Sequence, residues 1–205
     1  MDMSGMLIIV SAPSGTGKTT VLQETMQQVE RLVFSVSHTT RQPRPGEQDG
    51  RDYFFVSKQQ FEEMIKNNGF LEWALVHDNY YGTALASLRA GLDAGFDMVL
   101  DIDVQGAEIV RQQSRLETID IFIAPPDQAE LEKRLRRRGT EDEQTILKRL
   151  ANAVEEMNQC SKYEYLIVND SVENAVTMLS GIIYAERARK RRALDGTLLL
   201  AATIR

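Results

Sequence analysis

Short apolar runs alternate along the chain with segments whose apolar residues recur at helical spacing. Leu7-Ile8-Ile9-Val10 reads as a buried strand, and a helix is expected over 19–30. Further strands are expected over 33–40, 53–56, 70–76, 98–103, 119–124 and 165–168. Helices are expected over 57–67, across Leu85, Leu88 and Leu92, over 104–113, 127–138 and 140–160, and from 170 onward. Four of them carry start signals: Ser57 with Gln60, Asp127 with Glu130, Thr140 with Glu143, and Asp170 with Glu173. Segment 41–52 is a polar loop with Pro43, Pro45, Gly46 and Gly50. Apolar strands alternating with helices imply an α/β fold, a parallel sheet covered on both faces. Ligands of such sheets bind beyond the carboxyl ends of the strands, which singles out the loops after Val10 and Leu100.

Composition narrows this little. The chain has 205 residues, enough for one domain, and 42% hydrophobic residues place it among folded proteins. One cysteine, Cys160, excludes an internal disulfide and a multi-cysteine zinc cluster, and fits a reducing cytoplasm. No apolar stretch reaches the roughly 18 residues of a membrane span, and the first residues lack a secretory pattern. A formal charge of −6 disfavours nucleic acid as a partner but says nothing about a local anion site.

Such a site is visible in Ser11-Ala12-Pro13-Ser14-Gly15-Thr16-Gly17-Lys18-Thr19, between the first strand and the first helix. This is nearly GxxxxGK[ST], in which curled backbone N–H groups and a helix N-terminus cradle phosphates. Lys18 is expected to reach the β- and γ-phosphates and the Thr19 hydroxyl to ligate Mg2+. Ala12 replaces the first glycine of the pattern, which requires a negative φ there. The plain alternative is a Gly-rich turn with an exposed lysine. The strand 98–103 supplies Asp101, suited to hold a water of the magnesium ion.

A second anion site is suggested by Arg41 and Arg44, held on a stiff loop by Pro43, with Tyr53 downstream. Guanidinium forks match phosphate oxygens. Glu72 can accept from the two N–H donors on the guanine edge, which adenine does not present in that form. The competing reading is a surface glutamate beside a core Trp73.

With these pieces in view the chain resembles guanylate kinase, the bacterial enzyme in particular. The resemblance is carried by the Ser11–Thr19 motif, Ser35-Val36-Ser37-His38-Thr39-Thr40-Arg41-Gln42-Pro43-Arg44-Pro45-Gly46, Asn79-Tyr80-Tyr81-Gly82, Leu100-Asp101-Ile102-Asp103-Val104-Gln105-Gly106, Arg138-Gly139-Thr140-Glu141 and Tyr165-Leu166-Ile167-Val168-Asn169-Asp170. It covers 5–187 and implies a three-layer P-loop kinase fold. The core would be 5–36, 84–137 and 161–187, the GMP-binding lobe 37–83 and the lid 138–160, with a tail at 188–205. The implied reaction is Mg2+-dependent phosphoryl transfer from ATP to GMP, and to dGMP, in purine nucleotide metabolism.

Residue by residue, the resemblance implies that Ser11 through Thr20 and Asn169 meet ATP. Arg41, Arg44, Tyr53 and Tyr81 would hold the GMP phosphate. Ser37, Glu72, Thr83 and Asp103 would read guanine, and Asp101 would sit near magnesium and GMP. Lys18, Arg44, Arg138 and Arg149 would offset charge on the transferring group. The stretch 131–149 supports a lid, with seven cations against four carboxylates. His38 and His77 read as packing or loop residues. The basic run at 187–192 reads as a helix end. The apolar stretch 198–202 leaves open whether the tail packs on the domain, joins a homo-oligomer or stays disordered. Two other readings compete: a kinase of the same fold with another acceptor, and a non-catalytic module that binds phosphorylated peptides.

Overall fold

A computed structural model describes residues 5–76, 78–113, 116–137 and 142–199. The strands are β1 Leu7–Ser11, β2 Leu32–Phe34, β3 His38–Thr39, β4 Phe54–Phe55, β5 Phe70–Val76, β6 Asn79–Ala84, β7 Asp97–Asp101, β8 Thr118–Ala124 and β9 Tyr165–Val168. The helices are α1 Lys18–Gln28, α2 Lys58–Lys66, α3 Leu85–Asp93, α4 Val104–Gln113, α5 Gln128–Arg137, α6 Glu143–Met157 and α7 Val172–Arg189.

Five strands form the core sheet in the order β2-β7-β1-β8-β9, all parallel. The alternation of apolar strands and helices was the correct signal. One face packs Ile8, Val10, Ile119, Ile121 and Ile123 against α1 and α7, and the other packs Leu7, Ile9, Leu100 and Phe122 against α3 and α4. Adjacent β1 and β7 run in register, so Val10 stands beside Asp101. Both loops singled out above therefore leave the same end of the sheet.

A second sheet, β4-β3-β6-β5, carries the polar loop and α2. Its core is aromatic: Phe61 of α2 is buried and stacks on Phe70 at 4.2 Å and Tyr80 at 5.1 Å. The capping box at Ser57 and Gln60 starts α2 as expected. His38 packs on Phe54 and Phe70, with its pKa lowered by burial. His77 lies outside the described residues.

Four expectations change. The strand over 33–40 is two, β2 in the core sheet and β3 in the second, because 35–37 crosses between sheets. Strand β6, unforeseen, forms a hairpin with β5. Asp142, whose side chain accepts from Thr145 N, caps α6 in place of the expected pair, Thr140 itself lying outside the described residues. Ser171, not Asp170, caps α7 by accepting from Asn174 N, while Asp170 binds the Asn174 side chain.

Helices α5 and α6 have a small core of their own, Leu131, Leu135, Ile146, Leu150 and Ala153. Arg136 straps them together, with two bonds to Glu143 at 2.6 and 2.7 Å and one to Glu132 at 2.8 Å. The described part of the tail folds back. Asp97, fully buried, accepts from Arg187 at 2.7 Å, from Arg192 and from Met6 N. The basic run at 187–192 is thus partly consumed inside the domain. The apolar tail residues beyond Leu199 lie outside the described residues. No described helix is long and apolar enough to cross a membrane.

Candidate active site

The P-loop follows from its glycines. Gly15 and Gly17 have φ of +92° and +96°, which L side chains rarely adopt. A Cβ on Gly15 would lie 2.7 Å from Leu135 of α5, and one on Gly17 would lie 2.8 Å from the Asn169 amide. Ala12 is free of this demand, since it is not among the residues with positive φ. The substitution of the first glycine therefore costs the loop nothing.

Braces under the loop come from two directions. Asn169 is buried and donates its amide to Thr16 O at 2.7 Å. Arg134 donates to Thr16 O at 3.0 Å and to Asn169 O at 3.1 Å. Asn169 therefore supports the loop from beneath. Arg134 was missed as a site residue; its position one turn before Arg138 on a basic helix was too ordinary a signal. Arg138 lies outside the described residues.

Lys18, the first residue of α1, reaches across to the end of β7. Its ammonium is 2.5 Å from Asp101 and 3.3 Å from Ile102 O. Arg149 of α6 donates to the Ser14 hydroxyl at 2.9 Å. Beside Lys18 and Ser14 opens a cleft of about 360 Å3 lined by residues 12–15 and 17–20, Asp101, Asp103 and Glu156.

A second cleft, also about 360 Å3, opens on the other side of Asp101. Ser37, Tyr53, Thr83 and Asp101 line it, together with Gln23 and Arg51. Ser37 reaches it because 35–37 is the crossing between the two sheets. Glu72 meets it through Thr83, whose hydroxyl donates to Glu72 at 2.7 Å. A bulge between Phe70 and Glu72 sets these two residues opposite each other. Burial pushes the Glu72 carboxyl above the usual range, against the bond from Thr83. Glu72 is half-buried and Trp73 exposed, which inverts the competing reading of surface glutamate and core tryptophan.

Arg41 lies over the Tyr53 ring, 5.4 Å from its centroid, and Tyr53 packs edge-on to Tyr81 at 5.9 Å. Glu47 pairs with Arg41 at 2.8 Å and accepts from Arg44 N at 2.7 Å. These bonds, the Arg41 one first, hold the Glu47 carboxyl below its ordinary range. Arg44 is exposed at the loop tip. Asp103 caps α4 by accepting from Gly106 N at 2.8 Å. Cys160 sits against the core in a short 3-10 turn away from both clefts.

Among the described residues no group of three or more His, Cys, Asp or Glu side chains is arranged to hold a metal ion. Of the oxygens at the P-loop cleft, the Thr19 hydroxyl and the Asp101 carboxylate suit a hard cation that takes most of its ligands from water and substrate phosphates.

The arrangement is a glycine-rich loop cleft and a second polar cleft that meet at one carboxylate, Asp101. Comparison with known proteins identifies the family. A family model described as guanylate kinase matches residues 4–186. A guanylate kinase of Desulfotalea psychrophila is 55% identical over 192 residues, covering 94% of this chain and 95% of that protein. One of Thermotoga maritima is 42% identical over 193 residues, covering 94% and 93%. The crystal structure of guanylate kinase from Anaplasma phagocytophilum matches with a TM-score of 0.66 at 35% identity, covering 89% of this chain and 86% of that one.

Proposed function

The chain belongs to the guanylate kinase family and transfers a phosphoryl group from ATP to GMP, and on that premise we propose how its residues divide the work. ATP enters the P-loop cleft, with its phosphates on the loop N–H groups and Lys18. GMP enters the second cleft, with guanine on Glu72, Thr83 and Ser37, and with Asp103 reaching it from the P-loop cleft that it lines, and its phosphate on Arg41, Arg44, Tyr53 and Tyr81. The observation that carries this division is Asp101, which lines both clefts and bonds Lys18.

The nucleophile is an oxygen of the GMP phosphate, ionised near neutral pH, so no general base is needed. It bonds to the γ-phosphorus as the bond to the β,γ-bridging oxygen breaks, giving GDP and ADP. What the protein must supply is alignment and positive charge. Lys18, Arg44 and Arg149 supply charge from three places in the fold, and Arg138, outside the described residues, is assigned the same role. Burial raises the Tyr53 pKa, keeping its hydroxyl a neutral donor to phosphate. Thr19 and, through water, Asp101 would hold magnesium, which neutralises phosphate charge. Closure of α5 and α6 over the cradle would exclude water and suppress hydrolysis of ATP.

Because the assigned contacts read base and phosphate, dGMP should serve as well as GMP. We assign the protein to the cytoplasm, where both nucleotides and magnesium are available and a lone thiol stays reduced.

Transfer of label from γ-labelled ATP tests the reading. Label should appear in GDP when GMP and magnesium are both present, and chelating the metal should stop it. Release as inorganic phosphate at the same rate without GMP would contradict it.

A further inference from the structure

Among the described residues that line the second cleft, the cation is Arg51, and the phosphoryl-transfer scheme does not use it. Arg41 and Arg44 stand elsewhere on the same loop. The Arg41 guanidinium is already engaged. It donates to Gln42 O and to Glu47, both at 2.8 Å, and lies over the Tyr53 and Phe55 rings. Arg44 is exposed at the loop tip.

The backbone brings Arg51 to the cleft. The chain turns back at 48–53, where Asp52 N donates to Gln48 O at 3.0 Å and Gly50 N to Tyr53 O at 2.8 Å. Arg51 and Asp52 therefore meet the cleft beside Tyr53. Arg51 Nε donates to Asp52 at 3.0 Å, and Nη2 donates to Gly46 O at 3.0 Å. These bonds fix the plane of the guanidinium from one side. Among the described residues Nη1 has no bonded partner, so its two N–H groups are left for a ligand. Two carboxylates, Asp52 and Asp101, also line the cleft and would repel a phosphate dianion. Lys18 neutralises Asp101, and Arg51 neutralises Asp52 at 2.8 Å.

We propose that Arg51 is a third guanidinium ligand of the acceptor phosphate. Its Nη1 donates to a non-reacting phosphate oxygen, while Asp52 and Gly46 O hold its other edge. This rests on the reading that the second cleft takes GMP. The bond is the same before and during transfer, so it serves binding rather than the chemical step. The Arg51 side chain is 58% exposed, which keeps its contribution modest.

The test is calorimetric titration of GMP and, separately, of MgATP into wild-type protein, Arg51→Ala and Asp52→Asn, with steady-state rates alongside. Arg51→Ala should weaken GMP about three- to tenfold, the scale of one charge-assisted bond at an exposed site. KM for GMP should rise to match, with kcat and MgATP affinity within about twofold of wild type. Asp52→Asn separates a ligand from a strut. It keeps an oxygen for Gln48 N, which donates to Asp52 at 2.8 Å, and removes a like charge from the cleft. GMP should then bind as tightly as in wild type or up to about threefold tighter. An Arg51 that only braced the loop through Asp52 would make both substitutions weaken GMP. GMP affinity of Arg51→Ala within about twofold of wild type overturns the proposal, as does weaker GMP binding by folded Asp52→Asn. Wild-type protein that binds MgATP but not GMP contradicts the assignment of the second cleft instead.

Discussion

The ammonium of Lys18 lies 2.5 Å from the carboxylate of Asp101, which ties the P-loop to the end of the strand paired beside it. Through this pair the two clefts share a wall. Lys18→Ala should leave the fold intact, because the side chain is only partly buried and sits at a helix start. It should lower turnover by about 100- to 1000-fold, the usual effect of removing one charge-stabilising donor. Steady-state rates with saturating GMP, alongside a melting curve, check this. Turnover within tenfold of wild type would remove Lys18 from the chemistry.

Arg44 tests the acceptor side separately. It is exposed and its backbone, not its side chain, makes the bond to Glu47. Arg44→Ala should therefore keep the loop in place while weakening GMP binding and slowing transfer, with ATP binding unchanged. Separate titrations of the two nucleotides measure the split. GMP turnover within about twofold of wild type would contradict the role.

Glu72 should set an acid limit on GMP binding. Its carboxyl is pushed up by burial, so protonation begins at higher pH than for an ordinary glutamate. The protonated form cannot accept from both guanine donors, so GMP affinity falls as pH falls through that raised value. The effect on folding has the opposite sign. A group with a raised pKa in the folded state binds its proton more readily there than in the unfolded chain, so protonation favours the fold in that window. GMP binding should thus be lost while the protein remains folded. Thr83→Val removes a bond that stabilises the carboxylate and should move the acid limit upward. Titration of GMP affinity against pH, with and without this substitution, checks both statements.

Asp97 should be the most sensitive core position. It neutralises two buried guanidiniums, from Arg187 and Arg192, and accepts from Met6 N. Asp97→Ala strands both cations and should cost about 3–5 kcal/mol. For a chain of this size that lowers the melting temperature by about 10 °C. Thermal unfolding measures it, and a loss under 1 kcal/mol would contradict the arrangement.

The core sheet was legible in the sequence because its strands are buried on both faces and read as unbroken apolar runs. The P-loop was legible because its glycines are demanded by positive φ and close neighbours. Strand β6 was not, because Asn79, Gly82 and Thr83 interrupt the apolar pattern. Gly82 is there since a Cβ would come within 2.9 Å of Trp73, and Thr83 because it bonds Glu72. Strands β2 and β3 read as one because periodicity does not report which sheet a strand joins. The fully buried Asp97 with Arg187 and Arg192 was invisible for a similar reason. Its partners are about ninety residues apart, and local composition shows only a basic helix end. Arg134 was overlooked because it lies on an ordinary amphipathic helix, where long-range hydrogen bonds leave no spacing signal.

The central claim is that Glu72, seated on Thr83 beside Asp101, selects guanine for the cleft that faces the P-loop. The most direct measurement is the ratio of kcat/KM for GMP over AMP in wild-type protein and in Glu72→Gln. Wild-type protein should prefer GMP by about 10,000-fold or more, the scale set by leaving buried polar groups unpaired. The variant should lose at least about 100-fold of that ratio, almost all of it from GMP. An unchanged ratio in a folded Glu72→Gln protein would contradict the account.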